Sequence, residues 1–383
     1  MHFRTRAIHV GQGPDASTGA VTPPIHLAAT YVQPAVGQWG PYDYSRSGNP
    51  TRKVFETTLA NLETGCGALA FSSGMAAIHA AMMLLEPGDH VLASWDLYGG
   101  TYRLLRRILS RFHIQATFAP SDDLETFAEA VRPNTKLLWI ESPGNPLLSI
   151  TDIAGCAELA HRHGAMLGVD STFATPVLIR PLELGADMVM HSATKYLGGH
   201  SDVLGGALVV RDPELFQQLY TIQNATGGVM APLEAFLCSR GLKTLELRVR
   251  EQCRTAFLLA QRLAEHPRVR RVYYPGLPNH PGYQIASRQM DGGFGAMISF
   301  ELDASAEQAK TFVQSTRIFQ LAVSLGAVES LLELPAFMSH ASYEPEQRAA
   351  RGIADSLVRL SVGLEAAEDL WEDLLSAFEK AFA

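Results

Sequence analysis

Between residues 68 and 210 the chain carries seven short, almost unbroken apolar runs, at 68–71, 90–94, 115–118, 136–140, 166–170, 188–192 and 207–210. Longer segments with apolar positions at helical spacing separate several of them, at 75–85, 100–110, 124–131 and 153–163. A strand that is apolar on both faces has to be covered on both faces. Alternation with helices therefore predicts an α/β fold around a mostly parallel seven-stranded sheet. In such sheets ligands bind outside the carboxyl ends of the strands, so chemistry is expected in the residues that follow each run.

At 383 residues the chain exceeds a single typical core. Residues 1–45 are rich in Pro, Gly, Gln and Thr and read as an arm, residues 46–241 as the large domain, and residues 242–383 as a smaller C-terminal α/β domain. In the last of these, strands are expected at 269–274, 296–301, 320–323 and 358–361, and helices at 306–315 and 367–382, after a mostly helical stretch at 232–267. Hydrophobic residues make up 47% and charged residues 18%, which excludes intrinsic disorder. A net charge of −8 leaves no overall basic field for nucleic acid or an anionic membrane. No apolar run approaches the roughly 20 residues that span a bilayer, and the first ten residues lack a signal-peptide core, so the expectation is a cytoplasmic protein. Cys66, Cys156, Cys238 and Cys253 are scattered, without the spacing of a disulfide scaffold or a metal site.

Only six lysines occur in the chain, and one of them, Lys195, directly follows the apolar run at 188–192, inside Ser192-Ala193-Thr194-Lys195-Tyr196-Leu197-Gly198-Gly199. A lysine at the outlet of a buried strand can be partly desolvated, which lowers its pKa and frees its amine to form a Schiff base. Asp170 ends a neighbouring run and points toward the same crevice, where a carboxylate could keep a pyridine nitrogen protonated. The turn Ser72-Ser73-Gly74-Met75, between a strand and a helix, supplies backbone amides for a phosphate, with Ser192 and Thr194 as hydroxyl donors. Together these suit pyridoxal phosphate. Taken singly, Lys195 also reads as a loop lysine and Asp170 as a helix N-cap.

Further segments carry a resemblance. They include Tyr44-Ser45-Arg46-Ser47-Gly48-Asn49-Pro50, the Ser-Ser-Gly-Met turn, Tyr98-Gly99-Gly100, Ser142-Pro143-Gly144-Asn145-Pro146, the lysine segment, Ser324-Leu325-Gly326 and Arg359-Leu360-Ser361-Val362-Gly363. In this order, over nearly the full length, the chain resembles the pyridoxal phosphate enzymes of transsulfuration, the Cys/Met metabolism family. The resemblance implies fold type I of the PLP-dependent transferases and a small sulfur amino acid as substrate. It implies that Tyr98 stacks on the cofactor ring and exchanges protons, and that Asn145, Ser324 and Arg359 bind substrate, Arg359 gripping the α-carboxylate. It also implies that Tyr44 and Arg46 reach the cofactor phosphate of a neighbouring subunit, in a homotetramer built as a dimer of dimers with shared sites. No metal is expected.

Within that family Val323 stands where many γ-synthases and γ-lyases resemble one another in carrying Glu, and Gly100 where methionine γ-lyases carry Cys. Both favour a cystathionine β-lyase. The alternatives are a cystathionine γ-lyase, a methionine γ-lyase, a cystathionine γ-synthase or O-acylhomoserine sulfhydrylase, and, in another class, a catalytically silent PLP-fold binding protein. A nicotinamide dehydrogenase is disfavoured because no GxGxxG follows an early strand. Three departures from the family pattern stand out. Ser171 and Gly144 replace the residues usual there, and Glu333 resembles some γ-lyases but reads as a surface charge.

Overall fold

The computed structural model describes residues 1–341, 343 and 345–383. Its strands are β1 (Gly67–Phe71), β2 (His90–Ser94), β3 (Gln115–Ala119), β4 (Thr135–Glu141), β5 (Met166–Asp170), β6 (Met188–His191) and β7 (Gly206–Val210) in a first sheet. A second holds β8 (Val269–Tyr273), β9 (Met297–Leu302), β10 (Gln320–Leu321), β11 (Leu331–Glu333) and β12 (Leu357–Ser361). The first runs β1-β7-β6-β5-β4-β2-β3, with β7 alone antiparallel to its neighbours, which is the mostly parallel seven-stranded sheet expected. The second, β10-β11-β12-β9-β8, is antiparallel except for the β10–β11 pair.

Strand periodicity sorts the apolar side chains of the first sheet onto two faces. Leu138, Ile140, Leu167, Val169 and Val189 pack on one face, in a core continuous with Ile298, Phe300 and Leu360 of the second sheet. Leu137, Trp139, Met188 and Met190 pack on the other, with Ala77 and Ile78 from the helix Gly74–Met82. Both faces are thus covered, which accounts for the unbroken apolar runs.

Local chemistry sets the helix starts nearest the sheet ends. Asn49 caps Pro50–Leu62 by accepting from the amides of Thr51 and Arg52. Ser73 caps Gly74–Met82 by accepting from Ala76 N–H at 3.1 Å.

The single helix expected at 100–110 is instead three pieces, an α turn at Gly99–Arg103, a π segment at Leu104–Ile108 and a 3₁₀ turn at Leu109–Phe112. The strand expected at 320–323 shrinks to Gln320–Leu321, and Leu331–Glu333 forms a strand the sequence reading did not anticipate. The helical stretch at 232–267 divides into Pro232–Leu242 and Leu245–Glu265. Cys156, Cys238 and Cys253 are buried and Cys66 is exposed; all four are unpaired. Among the described residues no helix is long and apolar enough to cross a membrane, and no cluster of three or more His, Cys, Asp or Glu side chains is arranged to hold a metal ion.

Candidate active site

A cavity of ≈ 440 Å³ opens at the carboxyl ends of the parallel strands, where the second sheet closes over the first. That size suits a small-molecule site, for which about 300–1,000 Å³ is typical. Ten of the twelve predicted site residues line it, namely Gly74, Met75, Tyr98, Asn145, Asp170, Ser192, Thr194, Lys195, Ser324 and Arg359. Tyr44 and Arg46 do not. Tyr44 is 47% exposed, and Arg46 donates to the Asn224 carbonyl at 2.6 Å on the outer surface.

Lys195 sits in the turn that leaves β6, where its N–H donates to Ser192 O at 3.1 Å and its carbonyl accepts from Gly199 N–H at 2.7 Å. Gly199 has φ +71, and a Cβ there would lie 2.1 Å from Arg248 Nη1. Buried Arg248 in turn donates to the carbonyls of Tyr196 and Gly241, both at 2.9 Å, clamping the lysine turn from behind. The Lys195 amine donates to Ser324 Oγ at 2.7 Å. Burial and, next, the Arg359 guanidinium pull its pKa down from the ordinary lysine range to about 8, with Glu333 opposing.

Across the cavity Asp170 ends β5, one Oδ1 hydrogen bond (3.0 Å, from Thr172 N–H) holding its carboxylate. Burial raises its pKa, and hydrogen bonds from Thr172 offset part of the rise. On β4, Glu141 is its register partner. The Glu141 carboxylate accepts from Tyr98 N–H at 2.7 Å, and burial with Asp170 nearby pushes it well above the usual carboxylate range. Tyr98 is thereby held by its own backbone while its ring, 43% exposed, faces the cavity.

Arg359 lies mid-strand on β12 between β11 and β9, 4% exposed. Its Nη1 donates to Asn145 Oδ1 at 2.8 Å and its Nη2 to Ser324 O at 3.2 Å. Ser324 adopts φ +102, unusual for a residue with a Cβ, and so directs its carbonyl to Arg359 and its hydroxyl to Lys195.

The chain matches the family described as Cys/Met metabolism PLP-dependent enzyme over residues 4–379. It is 50% identical to a cystathionine γ-lyase of Bacillus subtilis over 99% of this chain and 100% of that one. It is also 50% identical to a cystathionine β-lyase of Coxiella burnetii, over 98% and 97%. A crystal structure of cystathionine γ-lyase from Lactobacillus plantarum complexed with L-serine superposes with a TM-score of 0.97 at 46% identity, each chain fully covered. This chain belongs to the Cys/Met metabolism PLP-dependent enzyme family. Its fold is that of the PLP enzymes, and its cofactor is pyridoxal phosphate.

The residues present fit that cofactor. The first amides of Gly74–Met82 are free of intrahelical partners and open toward Ser192, whose Oγ would lie 3.2 Å from a Cβ at Gly74. A side chain at position 74 would therefore press on Met190 and Ser192. Asp170 offers a buried carboxyl that could meet a ring nitrogen, and Lys195 an amine with a lowered pKa that could hold the aldehyde. Thr194 differs from expectation in one respect, because its hydroxyl is already tied to Gly205, donating to the carbonyl at 3.2 Å and accepting from the amide at 3.0 Å.

Several lining residues escaped the sequence reading. Glu141 ends an apolar run just as Asp170 does, and the same signal could have found it. Arg103 lines the cavity with no local signal, and Met338 and Ser339, in a segment that resembles the β-lyases, line it too. Glu333 is corrected. It is 1% exposed on β11 and pairs with Arg359 at 3.0 Å, because β11 and β12 set the two residues directly opposite each other. Of the other departures, Ser171 is buried outside the cavity lining, with no hydrogen-bond partner for Oγ among the described residues. Gly144 is packed so that a Cβ would lie 2.5 Å from both Asp96 Oδ2 and Ser149 Oγ.

Proposed function

We propose that the chain is a carbon–sulfur lyase that cleaves L-cystathionine by β-elimination, yielding homocysteine, pyruvate and ammonia. The observation that carries the reading is Val323. This aliphatic side chain lines the cavity mouth and is 57% exposed, at the place where the resemblance puts a carboxylate in many γ-specific relatives. Equal identity to a β-lyase and to a γ-lyase means that overall similarity does not discriminate. Arg103 lines the same cavity as Arg359, so a substrate with a carboxylate at each end, as cystathionine has, meets a guanidinium at both.

Bound pyridoxal phosphate supplies an electron sink for charge developing at the substrate Cα. The chain's own residues do the rest. Lys195 would hold the cofactor through its amine, and its Nζ, once released by substrate, is placed to take the Cα proton. Asp170 would keep the ring nitrogen protonated. Gly74 and Met75 amides with Ser192, and Thr194 on turning its hydroxyl from Gly205, would hold the phosphate, and Tyr98 would face the ring. Asn145, Ser324 and Arg359 fix the α-carboxylate. As the Cβ–S bond breaks, the sulfur leaves as homocysteine thiolate and takes up a proton; water releases the remaining three carbons as pyruvate and the nitrogen as ammonia.

Tyr44 and Arg46 act in a neighbouring subunit's site, within a homotetramer. Their exposure supports this, as do the exposed apolar side chains Val21, Leu27, Val32, Val36 and Trp39 on the arm. The deciding experiment identifies the keto acid formed from L-cystathionine. Pyruvate is expected, and 2-oxobutyrate in excess would replace this reading with γ-elimination, the second reading that the buried Glu333 favours.

A further inference from the structure

Glu333, buried against Arg359, has no part in the scheme above. Cross-strand register between β11 and β12 brings the two charges to 3.0 Å. Their side chains are 1% and 4% exposed, so solvent screens them little. Glu333 Oε1 also accepts from Ser339 Oγ at 2.5 Å, and Ser339 Oγ lies 2.9 Å from His340 Nδ1. His340 adds no second cation, because burial, then Arg359, pushes its imidazole down to about 3. Glu333 Oε2 is buried with no hydrogen-bond partner among the described residues.

A guanidinium offers five N–H donors. Asn145 Oδ1 and Ser324 O accept two of them, and Glu333 Oε1 lies 3.0 Å from Nη2 as an ion pair. An arriving carboxylate therefore meets a guanidinium whose charge is already balanced, and it is repelled by the carboxylate that balances it. A neutral acceptor at position 333 would hold the guanidinium without that repulsion. Weak ground-state capture has a use, since binding that is equally strong before and during reaction does not speed the chemical step and slows exchange of ligands.

We propose that Glu333 is a positioning residue that acts through Arg359 as its resident counter-ion, balancing the guanidinium in the free enzyme and loosening its hold on the carboxylate of any amino acid that enters. The inference rests on the reading of Arg359 as the α-carboxylate clamp. Glycine, which carries an α-carboxylate and no leaving group, is the probe, its binding to the holoenzyme followed by visible absorption and by thermal melting.

In Glu333→Gln the incoming carboxylate becomes the only counter-ion. The expected result is a dissociation constant for glycine about tenfold lower than wild type, with a lower melting temperature in the free enzyme that saturating glycine restores. A purely structural role would lower the melting temperature and leave glycine affinity unchanged. Should the glutamine variant not fold, Glu333→Ala, which admits water beside the guanidinium, is expected to shift glycine affinity in the same direction. Affinity equal to or weaker than wild type, while Arg359→Leu weakens glycine strongly, overturns the counter-ion role alone. Unchanged affinity in Arg359→Leu overturns the clamp reading and this inference with it.

Discussion

Asn145 and Arg359 join the two sheets of the molecule, the Asn145 Oδ1 accepting from Arg359 Nη1 at 2.8 Å. One residue along, Ser299 Oγ donates to the Pro146 carbonyl at 2.6 Å, and Ser299 is the strand neighbour of Arg359. The loop that follows β4 is therefore gripped by adjacent positions of β9 and β12. A carboxylate bound at Arg359 would be registered against the first sheet, where Lys195 and Asp170 stand, through these two hydrogen bonds.

That registration depends on a fork as well as on a charge. Arg359→Lys keeps the charge but has neither the planar geometry nor the reach to satisfy Asn145, Ser324 and a carboxylate together. Losing charge-assisted hydrogen bonds of this kind costs about 2 kcal/mol, or roughly 30-fold in kcat/KM. The loss should fall mainly on KM in steady-state assays with cystathionine, with the cofactor's visible absorption retained.

The lowered pKa of Lys195 fixes two pH dependences. Burial comes first among its causes, then Arg359, and Glu333 works against both. With a folded value of about 8 against 10.5 unfolded, the unfolded chain binds more protons between those values. Apoprotein stability attributable to Lys195 therefore rises as pH goes from about 8 to about 10.5, and is penalised uniformly below that window. Uptake of pyridoxal phosphate needs the neutral amine, roughly one tenth of the population at pH 7 instead of about one in 2,500 for an ordinary lysine. The rate at which apoprotein regains its visible absorption should rise with pH to a midpoint near 8, and Lys195→Ala should never regain it.

Both halves of the cofactor pocket were legible because strand ends are local features. Asp170 closes an apolar run and Lys195 follows another, so a parallel sheet brings them together whatever the loops do. The Asn145–Arg359 contact spans 214 residues, and no periodicity encodes such a pairing; it came from resemblance. Glu333 was misread as a surface charge at a helix end because a three-residue strand is too short to show alternation. The helix expected at 100–110 breaks into three geometries although its apolar spacing is helical throughout. There the packing of Leu104, Leu105 and Leu109 into the core overrides local propensity.

Gly144 is accounted for by its neighbours. Ser149 Oγ donates to Asp96 Oδ2 at 2.6 Å, and these two atoms fill the space that a side chain at position 144 would need. Burial lifts the Asp96 carboxyl to about 6, with the Ser149 hydrogen bond opposing the rise. Gly144→Ser alone should destabilise by about 1–3 kcal/mol through overpacking. Adding Ser149→Gly should recover part of that loss, leaving the contact with Asp96, so a thermal-melting double-mutant cycle should show coupling of about 1 kcal/mol.

The last expectation concerns residues outside the cavity. Tyr44 and Arg46 are held in place by Arg52, which donates to the carbonyls of Ser45 at 2.8 Å and Arg46 at 3.1 Å and pairs with Glu56 at 3.5 Å. A loop braced so firmly, with Tyr44 and Arg46 exposed, is suited to presenting them to another chain. If they complete a neighbour's site, Arg46→Ala and Lys195→Ala are each inactive alone for defects lying in different sites. After equal mixing and subunit exchange, half of the dimers are hybrids, and each hybrid contains one site with both residues intact. Recovered activity should approach about a quarter of wild type, the share set by two-fold symmetry. No recovery, with exchange verified by mass spectrometry of the mixed oligomers, would mean that Arg46 serves only its own chain.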